Sequence, residues 1–378
     1  MSVKKILGIV IFLLLISKAP SFAQSAPPQA PKQDFFTGKV VEVVEQGEKT
    51  VQGYKNYYQT LRVRIIDGTE KGKYTIIQNG QEAQITKDQL VSKNEDIVVS
   101  RTTYANGRTL YAIYDFYRLN SLLLFIIIFF VFVIIIAGIK GIGSILGMIV
   151  SLGIIVGYIL PNIIKGQDPL TITLIGSVAI LTTTTYLAHG ISKKTTIALI
   201  STLIALFLTA AFAIIAINFN KITGLGNEDA FSLQIGPTSV IDLKGLFLSG
   251  IIIASLGALN DITTTQAATI LELKLANPKL KFLNLFEKGL NVGKEHIASL
   301  VNTLILAYVG SAFAVFIFLI LNPAHLPYWV ILNNEIVSDE LIKIIAGSIG
   351  LLLSVPIVTL LASYIFSKMK VIEEPQKS

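Results

Sequence analysis

From Asn120 onward the chain is a series of long apolar runs with short polar breaks; before it, apolar and polar positions alternate. The long runs are Leu122–Gly138, Ile142–Leu160, Leu170–Ala188, Thr196–Ile217, a run around Gly245–Asn260, Ile297–Leu321 and Leu341–Phe366. A helix needs about 20 apolar residues to cross roughly 30 Å of hydrocarbon. The pattern therefore predicts a multi-pass membrane bundle of about seven transmembrane helices over residues 119–368.

Residues 34–118 have the other period. Val40 to Val44, Leu61 to Ile65, Tyr74 to Ile77, Ile97 to Val99 and Leu110 to Ile113 are short β-branched and aromatic runs, punctuated by Asp67-Gly68, Asn79-Gly80 and Asn106-Gly107. Asn-Gly accepts the positive φ of a type I′ turn, so the last pair predicts a hairpin. Together the runs predict a small all-β, barrel-like domain, open and of about five strands, in the manner of the oligomer-binding barrels. Tyr54, Tyr57 and Tyr58 beside Lys55 are a candidate contact surface for a partner or polymer; ordinary half-buried edge packing is the favoured account.

The amino terminus reads as a targeting segment. Lys4-Lys5, an apolar run from Ile6 to Ile16 and small residues at Ser21 and Ala23 make residues 1–23 a signal-peptide pattern. The apolar run covers only about 17 Å as helix, short for an anchor. Residues 24–33, rich in Pro, Ala and Gln, form a linker. Cleavage would export the β-domain and leave residues 369–378 as a cytosolic tail.

Composition agrees with this class. Of 378 residues 52% are hydrophobic and 15% charged, which is membrane-like, and the absence of cysteine excludes disulfides, thiolate metal sites and lipid attachment through sulfur. The net charge of +7 is spread over loops rather than gathered in one patch, which argues for anionic lipid and against nucleic acid as partner. With the β-domain outside, the inner segments carry Lys140, Lys193, Lys194, Lys274, Lys279, Lys281, Lys288, Lys294, Lys368, Lys370 and Lys377. The outer ones carry Lys165, Lys221, Lys244 and Lys343. That asymmetry follows the positive-inside rule for a protein of the cell membrane. The Lys- and Glu-bearing connection Glu272–Glu295 then reads as a solvated cytosolic helix.

In the second run Gly143 and Gly147, then Gly153 and Gly157, form two small-xxx-small pairs, which predict close helix packing at the centre of the bundle, or a glycine-lined path.

Candidate chemistry is concentrated between Ser249 and Ser311. The uncharged run Gly245–Asn260 covers about 24 Å as helix and falls short of the bilayer core, so the helix must lengthen forward past Asp261 or backward past Lys244. Asp261 shares a helical face with Gly257, Thr264, Thr265 and Ala268, so a carboxylate and two hydroxyls can point together into the bundle as a cation or proton site. The competing reading is that Asn260-Asp261 caps a new helix or is solvated at the membrane interface. His189 closes the third run behind Thr182–Thr185, and Glu295, His296 and Asn302 open the sixth. If these converge with Asp261, they make a polar vestibule at the cytosolic ends of the third, fifth and sixth helices.

The residues Gly257–Asp261, reading GALND, the Thr-rich helix behind them, and FEKGLNVGKEHIASLVNTLILAYVGS are similar to the signature half of the YibE/F-like family of bacterial multi-pass membrane proteins. The amino-terminal half resembles that family in layout: export signal, small soluble domain, then helices. The resemblance implies an integral membrane protein, a permease, with no established substrate, cofactor or catalytic residue to carry over.

No phosphate-cradling Gly loop with Lys, no His-Glu-x-x-His and no Gly-x-Ser-x-Gly elbow is present, so ATP-driven transport and common hydrolase chemistry have no support in the sequence. The expectation is a permease moving a small solute or ion past Asp261. The alternative is a membrane-anchored scaffold whose exported β-domain binds a partner or polymer; a third reading is a membrane-embedded acid-base enzyme using Asp261 and His296.

Overall fold

A computed structural model describes residues 32–51, 54–81, 84–104, 107–226, 230, 232–233, 241–322 and 325–369. The signal segment, most of the linker, Asn106 of the expected hairpin turn and the tail beyond residue 369 lie outside them. The chain separates into two compact units that divide between Phe132 and Val133.

The first unit holds five antiparallel strands: β1 (Lys32–Val51), β2 (Tyr54–Ile65), β3 (Tyr74–Asn79), β4 (Asp96–Thr103) and β5 (Thr109–Phe116), in the order β3-β2-β1-β4-β5. The period-two residues of the sequence fill its core: Phe36, Val40, Leu61, Val63, Ile65, Ile77, Val91, Ile97 and Val99. β1 serves two partners, pairing with β4 over Lys32–Lys39 and with β2 from Gly38 to Val51. Register shifts at Val40/Glu42 and Val43/Glu45 bend it between them, as bulges do. The strand is so closely flanked at Gly38 that a Cβ there would lie 2.7 Å from both Val63 and Val99.

The sheet curls into a half-barrel with β3 and β5 as free edges. Side chains, rather than a backbone ladder, bring those edges together. Arg101 on β4 donates to Asp34 on β1 and, at 2.8 Å, to Glu70 in the single 3-10 turn Gly68–Glu70 ahead of β3. The Tyr111 hydroxyl on β5 donates to the other Glu70 oxygen at 2.7 Å and accepts from Lys73 at 2.7 Å. The Arg101 guanidinium beside Asp34 holds that carboxyl below its ordinary range. Partial burial pushes Glu70 up, but bonds from Tyr111, Lys73 and Arg101 outweigh it and hold Glu70 low as well.

The helices begin with α1 (Leu119–Ile154), which runs on through a π-helical turn at Ile155–Ile159 and a last turn at Leu160–Ile164. Then come α2 (Pro169–His189), α3 (Lys193–Phe219), α4 (Leu243–Ala276), α5 (Phe282–Ser311), α6 (Phe313–Leu321), α7 (Tyr328–Leu332) and α8 (Glu335–Ser367). Among the described residues five helices are long and apolar enough to cross a membrane, or six if α5 and α6, bent by 72°, form one broken span.

The sequence pattern predicts seven separate spans. The difference lies at the sixth run, which is broken at Ala312; the first two runs share one element that counts once by length but consists of two helices. That element is interrupted at Gly138, whose φ of 57° and ψ of −137° lie outside the helical region and suit a residue without Cβ. Just beyond it, a Cβ on Gly141 would lie 2.6 Å from the Val133 carbonyl oxygen, whereas eight residues of straight helix span about 12 Å. The backbone therefore doubles back at Gly138.

α8 packs against α3, α4 and α5, and α4 also against α2 and α3. The core is Ile, Leu and Ala from these helices, with Ile251, Ile252, Leu259, Leu206 and Val355 among its fully enclosed members. α1 is peripheral, contrary to the central place predicted from its glycines; only Gly141 and Gly147 are buried along it. Gly143 and Gly147 do serve close approach, but to α2 alone: they face Leu187 and Ala188, and Thr184. Gly157 faces open space.

Candidate functional site

α4 starts behind Asp242, whose carboxylate accepts from the Lys244 N–H at 3.1 Å, and continues unbroken to Ala276. Asn260 and Asp261 are thus helix-interior residues. The capping alternative falls, because no helix starts at Asp261, whereas Asp261 is exposed, as interfacial solvation requires; the polar pair is carried along by an element that lengthens forward through Thr263–Thr265. Most hydroxyls here turn back on their own helix, Thr263 and Thr264 bonding to Leu259 O and Asn260 O at 2.9 and 2.7 Å. This satisfies a hydroxyl in apolar surroundings without a partner helix.

Two hydrogen bonds tie α4 to its neighbours at this level. Thr185 on α2 donates to Asn260 Oδ1 at 2.8 Å, and Thr202 on α3 meets Thr263 hydroxyl to hydroxyl at 2.5 Å. The first engages the Asn260 carbonyl oxygen and not its amide nitrogen.

Between α1, α2 and α4 lies a cleft of about 350 Å³. Asp261, Asn260 and Gly257 line it from α4, Thr184 and His189 from α2, and Ser144, Gly147 and Ser151 from α1, with Met148, Ile253 and Leu256 as apolar wall. It offers a carboxylate, an imidazole, an amide and hydroxyls on one concave surface, a donor set suited to a small cation or to proton exchange.

Of the residues predicted from sequence, the cleft brings together Asp261, Asn260 and His189. Thr264 is buried, with its hydroxyl spent on its own helix, and Thr265 is exposed; neither lines the cleft. His296 and Asn302 are on α5, which packs against α8 and α4, and they too lie outside the lining. Convergence holds for the third and fifth apolar runs and fails for the sixth. Ser144 and Ser151 were missed; with Gly147 and Met148 they recur at three- and four-residue spacing, a helical face that could have been read directly.

A second, smaller cleft of about 180 Å³ lies at the amino-terminal ends of α2 and α4, lined by Asp168, Asp242, Lys244, Asn218 and Leu248 among others. Lys244 donates to Asn218 Oδ1 at 2.6 Å. Asp168 caps α2, and hydrogen bonds from Thr171 hold its carboxyl below the ordinary range.

Comparison with known families places this helical region. The description YibE/F-like protein matches residues 125–368, the stretch that carries both clefts. The chain belongs to the YibE/F-like family. No curated protein and no solved structure matches it. The matched residues of this YibE/F-like chain begin beyond β5, so the half-barrel stands outside the family region.

Within that region, much of the motif-bearing stretch serves packing. Gly289 and Gly293 let α5 touch α4 and α8: a Cβ at Gly289 would strike Ile270, and one at Gly293 would strike Val355. Beside them Gln266, buried on α4, donates to Gly289 O at 2.8 Å and to the Thr359 hydroxyl at 2.9 Å. Lys274, expected in solvent, is instead buried, its ammonium donating to Pro278 O and Leu280 O at 2.5 and 3.0 Å. There it ties down the turn between α4 and α5 by satisfying two of that turn's carbonyls.

Proposed function

We propose that this YibE/F-like protein is an integral membrane permease that moves a small solute or ion, with Asp261 at the centre of its site. The supporting observation is the position of Asp261: inside a continuous 34-residue helix, on the wall of a cleft it shares with His189. Asp261 and His189 are exposed on that wall; with the helices in hydrocarbon, a carboxylate there is costly unless it serves a substrate, proton or partner. At 1.5 Å per residue α4 exceeds the roughly 30 Å of hydrocarbon, so a span beginning near Leu243 brings Asp261 close to the far boundary. The lysine asymmetry supports an orientation in the cell membrane with the half-barrel outside and the large cleft opening toward the cytosol.

The test is flux in vesicles. Purified protein reconstituted into liposomes and screened with small cations and neutral solutes should transport at least one. Asp261→Asn, nearly isosteric, should reduce that flux by about tenfold or more or abolish its pH dependence. Unaltered flux removes the assigned site. No flux for any solute, together with a partner retained by the half-barrel, would favour the anchored-scaffold reading, which the separate core of that unit supports.

A further inference from the structure

Thr173 and Ser177 on α2 are wholly enclosed, and neither hydroxyl has a hydrogen-bond partner. Their neighbours behave differently. Thr182, Thr183 and Thr184 on the same helix bond to carbonyls four residues back, at 2.7 to 2.8 Å. The acceptor that Thr173 would use, Pro169 O, instead takes the Ser249 hydroxyl of α4 at 3.0 Å. Ser177 has the Thr173 carbonyl at the same offset and does not bond it. Burying a hydroxyl unpaired is costly, and two in succession on one helix call for a partner that comes and goes.

Their place in the fold indicates what that partner is. α2 and α4 run side by side in the same direction, joined near their starts by Ser249 to Pro169 and further along by Thr185 to Asn260. The small cleft takes Asp168 and Leu170 from α2; the large cleft takes Ile180, Leu181 and Thr184. Ten residues, about 15 Å of helix, separate Leu170 from Ile180, and Thr173 and Ser177 fall between. Acidic groups stand at both ends: Asp168 and Asp242 beside Lys244 at one, and Asp261 with His189 at the other, where Lys140 and Lys194 add positive charge near the imidazole.

We propose that the seam between α2 and α4 is a proton route, in which water enters between the two clefts and is held by the Thr173 and Ser177 hydroxyls. Each oxygen along the route accepts a proton from one neighbour as it releases its own to the next, so one proton enters at one cleft, one leaves at the other, and the hydroxyls are restored. The route deepens the permease reading and rests on it: protons are then the coupling ion, or the cargo, of the Asp261 site. Leu181 and Leu256, both buried, line the large cleft at the end of this seam.

The chain contains no cysteine, so single cysteines report cleanly. In full-length protein in liposomes, Ser177→Cys should react with a small charged methanethiosulfonate about tenfold faster than Ala213→Cys, since a thiol in dry apolar surroundings stays protonated and inert. Ala213 is the control because it is fully enclosed on α3. In parallel, vesicles containing a pH-sensitive dye are given an acid jump. Thr173→Val keeps shape and removes only an unpaired hydroxyl, so the protein should fold, while proton entry slows by about tenfold.

Equal labelling of the two cysteines overturns the proposal, as does unchanged proton entry in Thr173→Val, or no proton entry in the parent protein. Solute flux that persists without proton entry removes the route and leaves the permease. Proton entry without flux of any other solute, insensitive to Asp261→Asn, removes the permease site and leaves the route.

Discussion

Gly289 and Gly293 occupy positions where a single methyl group has nowhere to go. Both lie one turn apart on the face of α5 that meets α4 and α8, and each is buried. Gly289→Leu should therefore destabilise the helical unit by about 1–3 kcal/mol, the usual cost of overpacking. The check is the melting temperature in detergent, with Gly310→Leu as control, since nothing lies within 4 Å of the Cβ position at Gly310. A comparable loss in both variants would show that helix propensity, not packing, sets the effect. Their four-residue spacing stands in the sequence, although the glycine pairs read from it were those of the second apolar run. The partners Ile270, Gln266 and Val355 are not written there, because they come from other helices and no periodicity within α5 names them.

At the scale of elements, α4 and the β-strands show opposite degrees of legibility. Strand positions followed from alternation, because a half-buried strand must present every second residue to the core. The side-chain latch across the free edges did not, since Asp34, Glu70, Arg101 and Tyr111 come from four separated segments. Its electrostatics predict a pH dependence. Asp34 and Glu70 are both depressed in the folded state, so their contribution is full above the ordinary carboxylate values of 3.8 and 4.5 and is lost as pH falls through the lower folded values. Circular-dichroism melts of the half-barrel should be flat near neutrality and fall on acidification below about pH 4.5. Arg101→Met should flatten that dependence; a melting temperature indifferent to acid would remove the latch. For α4, the uncharged run signalled a helix too short to span, and the structure resolves this by continuing it through polar residues. Hydroxyls that bond back to their own carbonyls make that continuation tolerable.

For the whole molecule, the proposed orientation makes a prediction independent of any substrate. Single cysteines at Lys294 and at Thr102 should be labelled from opposite sides of intact cells: Thr102 by an impermeant reagent outside, Lys294 only after the membrane is opened. Labelling of both from the same side would overturn the orientation drawn from the lysines.

The sequence by itself determined the two periods, two in the first part and helical thereafter, because burial of one strand face or a whole apolar helix has to be written in the order of residues. It also carried the family, through the residues around Gly257–Asp261 and the stretch after Phe286. Tertiary structure alone decided which polar residues meet: Asp261 with His189 and Asn260 but not with His296 or Asn302, and Lys274 in the interior rather than in solvent. Convergence depends on which helices pack together and how each is rotated. Near-uniform apolar helices leave that rotation unwritten in their own sequence, so it is fixed only by close approaches such as Gly143 against Leu187 and by the few hydrogen bonds between helices.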